Sequence, residues 1–242
     1  MDPLVAIIVG AAGYLIGSIS FARLMARLVA PGADVTRYEE PVPNSDLVYV
    51  DDAASATLVN LRLGARYGCL TAILDMLKVV LPMLALQYWL PGTQYDLVFA
   101  AMALVGHNWP IYHRFHGGRG ESVVYGSMLL IDPLGIVVCN VAAVGLGMFL
   151  GQLHLVRWGG MLLLIPWLWF RTGDPAVVAY IIFANAVFWF AMRKDVKQYV
   201  QYHKQGVFRN KEELSDFMDM RGGLGQFMDR YSLPVLLKRM AR

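Results

Sequence analysis

The residues best equipped for chemistry lie in one short connection. It runs Gly106-His107-Asn108-Trp109-Pro110 and continues through Phe115-His116-Gly117-Gly118-Arg119-Gly120-Glu121-Ser122. Glycines at this density let backbone N–H groups turn toward a ligand, and an arginine among them adds a fixed positive charge. Such a stretch can cradle a phosphate or an oxyanion. It can equally be a turn at a membrane interface, where glycine and proline break helices and arginine marks the cytoplasmic side. A second feature is the pair Asp75 and Lys78, embedded in an apolar run. At i, i+3 they share a helix face and neutralise each other, where a lone charge costs roughly 2.5–3.5 kcal/mol at the bilayer centre. The pair reads either as a structural ion pair or as the lining of a polar cavity.

The elements that position these residues are membrane helices. The chain has 242 residues, 57% hydrophobic and only 16% charged, with a net charge of +3. That composition lies outside the soluble range, and the small charge argues against nucleic-acid binding. Cys69 and Cys139 fall in apolar segments and suggest neither a disulfide nor a metal set. The sequence predicts an all-α integral membrane protein of about seven transmembrane segments, some short. Arg23 and Arg27 follow the first apolar segment and nothing basic precedes it, so the N-terminus is expected outside and the C-terminus in the cytoplasm.

Residues 4–29 form the first expected span, with Gly13, Gly17, Ser18 and Ser20 giving it a small face for close packing. Residues 30–65 form a long acidic cytoplasmic loop, in which 47–50 is a short strand or an interfacial segment. Further spans are expected at 66–90 and 97–112, then a half-length helix at 122–131 with Ser122 as its N-cap. Segments at 134–153, 161–170 and 176–192 complete the seven, with an inner turn at 154–157. A half-length helix starting just after a glycine cradle directs its N-terminal dipole at the cradle's contents. Residues 1–199 are thus expected to form the membrane domain. Residues 200–242 read as a cytoplasmic or interfacial extension, with apolar faces at Leu214, Phe217, Met218 and Met220 and again over 233–240.

Several stretches together resemble the bacterial acyl-phosphate:glycerol-3-phosphate acyltransferases, small membrane enzymes of phospholipid synthesis. Gly17-Ser18-Ile19-Ser20-Phe21 is similar to their first-span signature and Asp34-Val35-Thr36-Arg37 to their D-x-R. Leu63-Gly64, Gly68 and Asp75-Met76-Leu77-Lys78 are similar to their second-span entry. The opening stretch fits G-H-x-x-P followed by F-x-G-G-[KR]-G, with Arg119 where lysine is usual.

The resemblance implies a multi-pass protein of the cell membrane that moves an acyl group from acyl phosphate to glycerol 3-phosphate. No cofactor and no metal is implied. Gly117, Gly118, Arg119 and Gly120 would bind phosphate, helped by Arg37 and Arg62, with His107 as a catalytic general base or a structural hydrogen-bonder. The pattern departs in the first inner loop, where Asp51 and Asp52 stand near an expected phosphate and the family's arginine falls on Leu61, one place from Arg62. It departs again at Arg157-Trp158-Gly159-Gly160 and at Met192-Arg193-Lys194-Asp195. The other readings are a repurposed, non-catalytic lipid-binding or scaffolding relative, with residues 200–242 as a partner site, and an acyltransferase with a different acceptor.

Overall fold

The computed structural model describes residues 1–42, 45–207 and 222–240. Apolar runs become helices: α1 Pro3–Gly17, α2 Phe21–Val29, α3 Ala56–Leu63, α4 Ala65–Trp89, α5 Tyr95–Asn108, α6 Glu121–Ile131, α7 Pro133–Leu150, α8 Leu153–Thr172, α9 Pro175–Ala191 and α10 Arg193–Lys204. Two more, α11 Gly222–Tyr231 and α12 Leu233–Met240, lie toward the C-terminus. The apolar patch expected at 233–240 is thus helical. The face expected at Leu214, Phe217, Met218 and Met220 lies outside the described residues.

Among the described residues, four helical stretches are long and apolar enough to cross a membrane: Pro3–Val29, Ala65–Trp89, Pro133–Leu150 and Leu153–Thr172. A fifth is added if Pro175–Ala191 and Arg193–Tyr202, bent by 56°, count as one span. Residues such as Ile7, Leu81, Val141 and Phe170 point outward from these helices, as lipid-facing residues do. The protein is a multi-pass membrane protein.

Two compact units can be described. The first comprises Met1–Glu39, Val50–Pro133 and Thr172–Arg193. Here α1 lies against α5 through the predicted small face. A Cβ on Gly13 would come within 3.2 Å of the Phe99 Cα, and one on Gly17 within 2.6 Å of the Ala103 Cα. In the second unit, Glu40–Tyr49, Leu134–Arg171 and Lys194–Arg242, α7 and α8 also meet through glycine: a Cβ on Gly160 would lie 2.6 Å from the Asn140 Cγ. Tyr199 stacks with Tyr49, His154 and Trp158 in the same unit.

Two expectations are refined and two are corrected. The first span stands as Pro3–Val29 but is interrupted at residues 18–20: the Ser18 Oγ donates to the Tyr14 carbonyl at the end of α1, and the Ser20 side chain accepts from the Arg23 N–H at the start of α2. The short strand offered at 47–50 is found as β2 Val48–Asp51, and it pairs with β1 Tyr38–Pro41, so the mostly helical fold holds a two-stranded sheet in the acidic loop, followed by α3. Residues 154–157 lie inside α8, and the turn falls at Gly151, whose positive φ of 69° suits glycine. Ser122 is inside α6, and Gly120 is the N-cap, at φ 89°.

Candidate functional site

The polar centre of the first unit is built from three elements. Asp75 and Lys78 lie one turn apart on α4, their side chains 4% and 3% exposed, with Nζ donating to Oδ1 across 2.7 Å. Lys78 also donates to the Ile19 carbonyl at 2.8 Å and to the His107 Nδ1 at 3.0 Å. An ammonium has three hydrogens and here three acceptors, so the buried charge is fully satisfied. The helix break after Ser18 makes this possible, since it presents the Ile19 carbonyl sideways to the lysine. Because an ammonium only donates, His107 must accept at Nδ1, and its own ring proton sits on Nε2.

His107 passes this anchoring to the glycines. Its carbonyl accepts from the Gly118 N–H at 3.1 Å. Its Nε2 lies against Gly118 in the space a Cβ would fill, so only glycine fits there. Gly117 is equally confined: a Cβ would fall 2.6 Å from the Pro110 Cδ and 2.8 Å from the Asn108 carbonyl oxygen. The approach to the cradle is held by Tyr14, donating to the Trp109 carbonyl at 2.9 Å, and by Arg23, donating to the His116 carbonyl at 2.7 Å. Between them Arg114 and Phe115 both adopt positive φ, 53° and 60°, a strained geometry for residues with side chains. Nearby His113 has its pKa lowered by burial first and then by Arg23 and Arg27.

Arg119 opens onto the acidic turn after β2. Its Nη2 donates to Asp51 Oδ1 at 3.2 Å and to Asp52 Oδ1 at 3.4 Å, and Nη1 reaches Asp52 at 3.4 Å. The same turn is tied to the cradle by the Ala54 N–H donating to the Gly117 carbonyl at 3.0 Å. Burial raises the pKa of Asp51, against the pull of Arg119 and the Ala53 N–H.

The predicted residues therefore meet only in part. Asp75, Lys78, His107, Gly117 and Gly118 form one connected set, Arg119 and Gly120 continue it, and α6 starts immediately after. Arg37 has its contact elsewhere, an exposed ion pair with Glu39 at 2.7 Å, and Arg62 lies over the Tyr38 ring at 5.5 Å. Sequence reasoning missed two residues. Arg23 reads as a topology marker, yet it holds the His116 carbonyl, and with Arg27, Asp34 and Thr36 it lines an open concavity of about 150 Å³. Asn108 was passed over beside His107, although an asparagine at the end of an apolar helix is a signal that could have been read.

Comparison with known proteins fits this arrangement. Residues 7–202 match the family described as Glycerol-3-phosphate acyltransferase. A glycerol-3-phosphate acyltransferase of Halalkalibacterium halodurans is 29% identical over 183 residues, 72% of this chain and 81% of that one. One of Desulfotalea psychrophila is 30% identical over 195 residues, covering 76% and 89%. The fold is similar to the crystal structure of PlsY (YgiH), an integral membrane glycerol 3-phosphate acyltransferase in its glycerol 3-phosphate form. That match has a TM-score of 0.65 at 21% identity and covers 81% of this chain and 92% of that one. With most of its length matched by the family, the chain belongs to the glycerol-3-phosphate acyltransferases.

Proposed function

We propose that the protein transfers an acyl group from acyl phosphate to a hydroxyl of glycerol 3-phosphate, giving lysophosphatidate for phospholipid synthesis at the cell membrane. The observation that carries this reading is the glycine cradle. It is fixed from below by the buried Asp75–Lys78–His107 set, adjoins Arg119, and opens at the N-terminus of α6. A guanidinium beside a rigid glycine turn and a helix N-terminus suit a phosphoryl group and the oxyanion that develops during acyl transfer.

The donor is already activated, so no covalent enzyme intermediate is needed. The acceptor oxygen attacks the acyl carbon, the bond from that carbon to the phosphate oxygen breaks, and phosphate leaves with the electron pair. The acceptor's proton passes to a phosphate oxygen. The apolar tail lies among the lipid-facing helices. His107 orients the cradle, since its Nδ1 is engaged by Lys78 and its carbonyl by the Gly118 N–H. Arg62 and Arg37 supply positive charge on the acceptor's approach, as do Arg23 and Arg27 around the concavity beside α2. In the membrane we assign seven crossings with the N-terminus outside and the cradle cytoplasmic. Residues 200–242 then form an interfacial extension.

One observation favours a second reading. Asp51 and Asp52 both occupy Arg119, which suits an acceptor less anionic than glycerol 3-phosphate. Purified protein incubated with acyl phosphate and either glycerol 3-phosphate or a neutral polyol separates the two. Lysophosphatidate formation that disappears in Arg119→Ala supports the first. Acylation of the polyol alone supports the second. Acyl-phosphate binding without turnover of either acceptor refutes both.

A further inference from the structure

Asn108 is the last residue of α5, only 3% exposed, and both ends of its side-chain amide lack a hydrogen-bond partner. A buried amide left unpaired is costly, and native folds rarely tolerate one without a reason. The amide is aimed at Gly120: a Cβ there would lie 2.7 Å from Oδ1 and 3.4 Å from Cγ. Gly120 is the N-cap of the eleven-residue α6 and supplies no side-chain cap to it. The unpaired amide thus meets the residue that precedes α6, with the Leu104 side chain packed against the same glycine. Amide oxygen and nitrogen can exchange places by a flip, so this geometry presents an N–H donor toward Gly120 equally well.

We propose that Asn108 is a substrate-binding residue, its amide N–H completed by a phosphoryl oxygen bound at the start of α6. This rests on the reading of the cradle as an anion site and adds a recognition group to it. The phosphoryl oxygen belongs to the acyl donor or to the acceptor, two sources that kinetics separates. Asparagine at 108 is then a functional choice made against stability, because a leucine of similar size would remove the unpaired amide.

The test measures thermal unfolding and steady-state kinetics of the full chain in detergent. Asn108→Leu should raise Tm and raise one KM about tenfold, with a smaller change in kcat. A raised KM for acyl phosphate assigns the donor, and a raised KM for glycerol 3-phosphate assigns the acceptor. Asn108→Asp keeps the shape and adds a repelling charge, so it should raise the same KM further. Both KM values unchanged in either variant overturns the proposal, as does a lower Tm in Asn108→Leu, which would mean that the amide is bonded within the fold. If wild type shows no turnover, the acyltransferase reading fails on its own. Inorganic phosphate then serves as the probe: stabilisation of wild type that is lost in Asn108→Asp upholds the site, and equal stabilisation of both overturns it.

Discussion

Arg119 and Asp51 are joined across 3.2 Å, and Asp52 reaches the same guanidinium at 3.4 Å. The residue expected to hold substrate phosphate is therefore clasped by carboxylates from its own chain. Substrate has to displace them, so Asp51→Asn with Asp52→Asn should lower the KM for a phosphorylated substrate three- to tenfold, the scale of a partly exposed ion pair. Steady-state kinetics of lysophosphatidate formation checks this. A higher KM would show that the carboxylates help to bind substrate.

The same aspartate predicts a pH dependence. Burial raises the Asp51 pKa above its ordinary carboxylate value, outweighing Arg119 and the Ala53 N–H. The folded state thus holds this proton more tightly than the unfolded state does. Its contribution is most favourable below the ordinary value and is lost as pH rises through the raised one. Asp51→Asn should flatten Tm against pH in that window, and an unchanged slope would assign it to another group.

Lys78→Met should be the most damaging single change in the centre of the first unit. It leaves the Asp75 carboxylate buried without its cation and His107 without its donor, a loss of about 3–5 kcal/mol. Adding Asp75→Leu removes the stranded charge, so the double variant should be more stable than Lys78→Met alone. Denaturation in detergent orders the three proteins.

Gly17→Leu should separate α1 from α5, because even a Cβ would overlap the backbone at Ala103. Leu4→Ala, on an exposed side chain of α1, should change Tm little. The contrast between the two variants tests close helix packing through glycine. Arg37→Ala should likewise be silent in stability to within about 1 kcal/mol, since its ion pair with Glu39 is exposed.

The sequence made the membrane class, the small face of α1, the ends of α4 and the half-length α6 legible, because hydropathy and residue size act locally. It did not reveal the third partner of the Asp75–Lys78 pair. That partner, His107, is 29 residues away and is reached only by packing α4 against α5. The interruption at residues 18–20 of the Pro3–Val29 span was also hidden: two serines within an apolar run read equally as a packing face and as caps on either side of a short break. The hairpin of the acidic loop depends on pairing between β1 and β2, which charge content does not encode. At the cradle, the glycines and Arg119 were readable as an anion site. The direction of Arg119 toward Asp51 and Asp52 was not, since spacing says nothing of which opposite charges a fold brings together.

The carboxylate clasp also bears on how ionic strength should act. A bare guanidinium that captures phosphate loses affinity as salt screens the new attraction. Here the guanidinium is already paired with two carboxylates that stay tethered beside it, so an incoming phosphate meets their repulsion together with the attraction, and salt screens the two in opposite senses. Affinity should therefore depend only weakly on salt, and replacing the two aspartates should make the same protein markedly salt-sensitive.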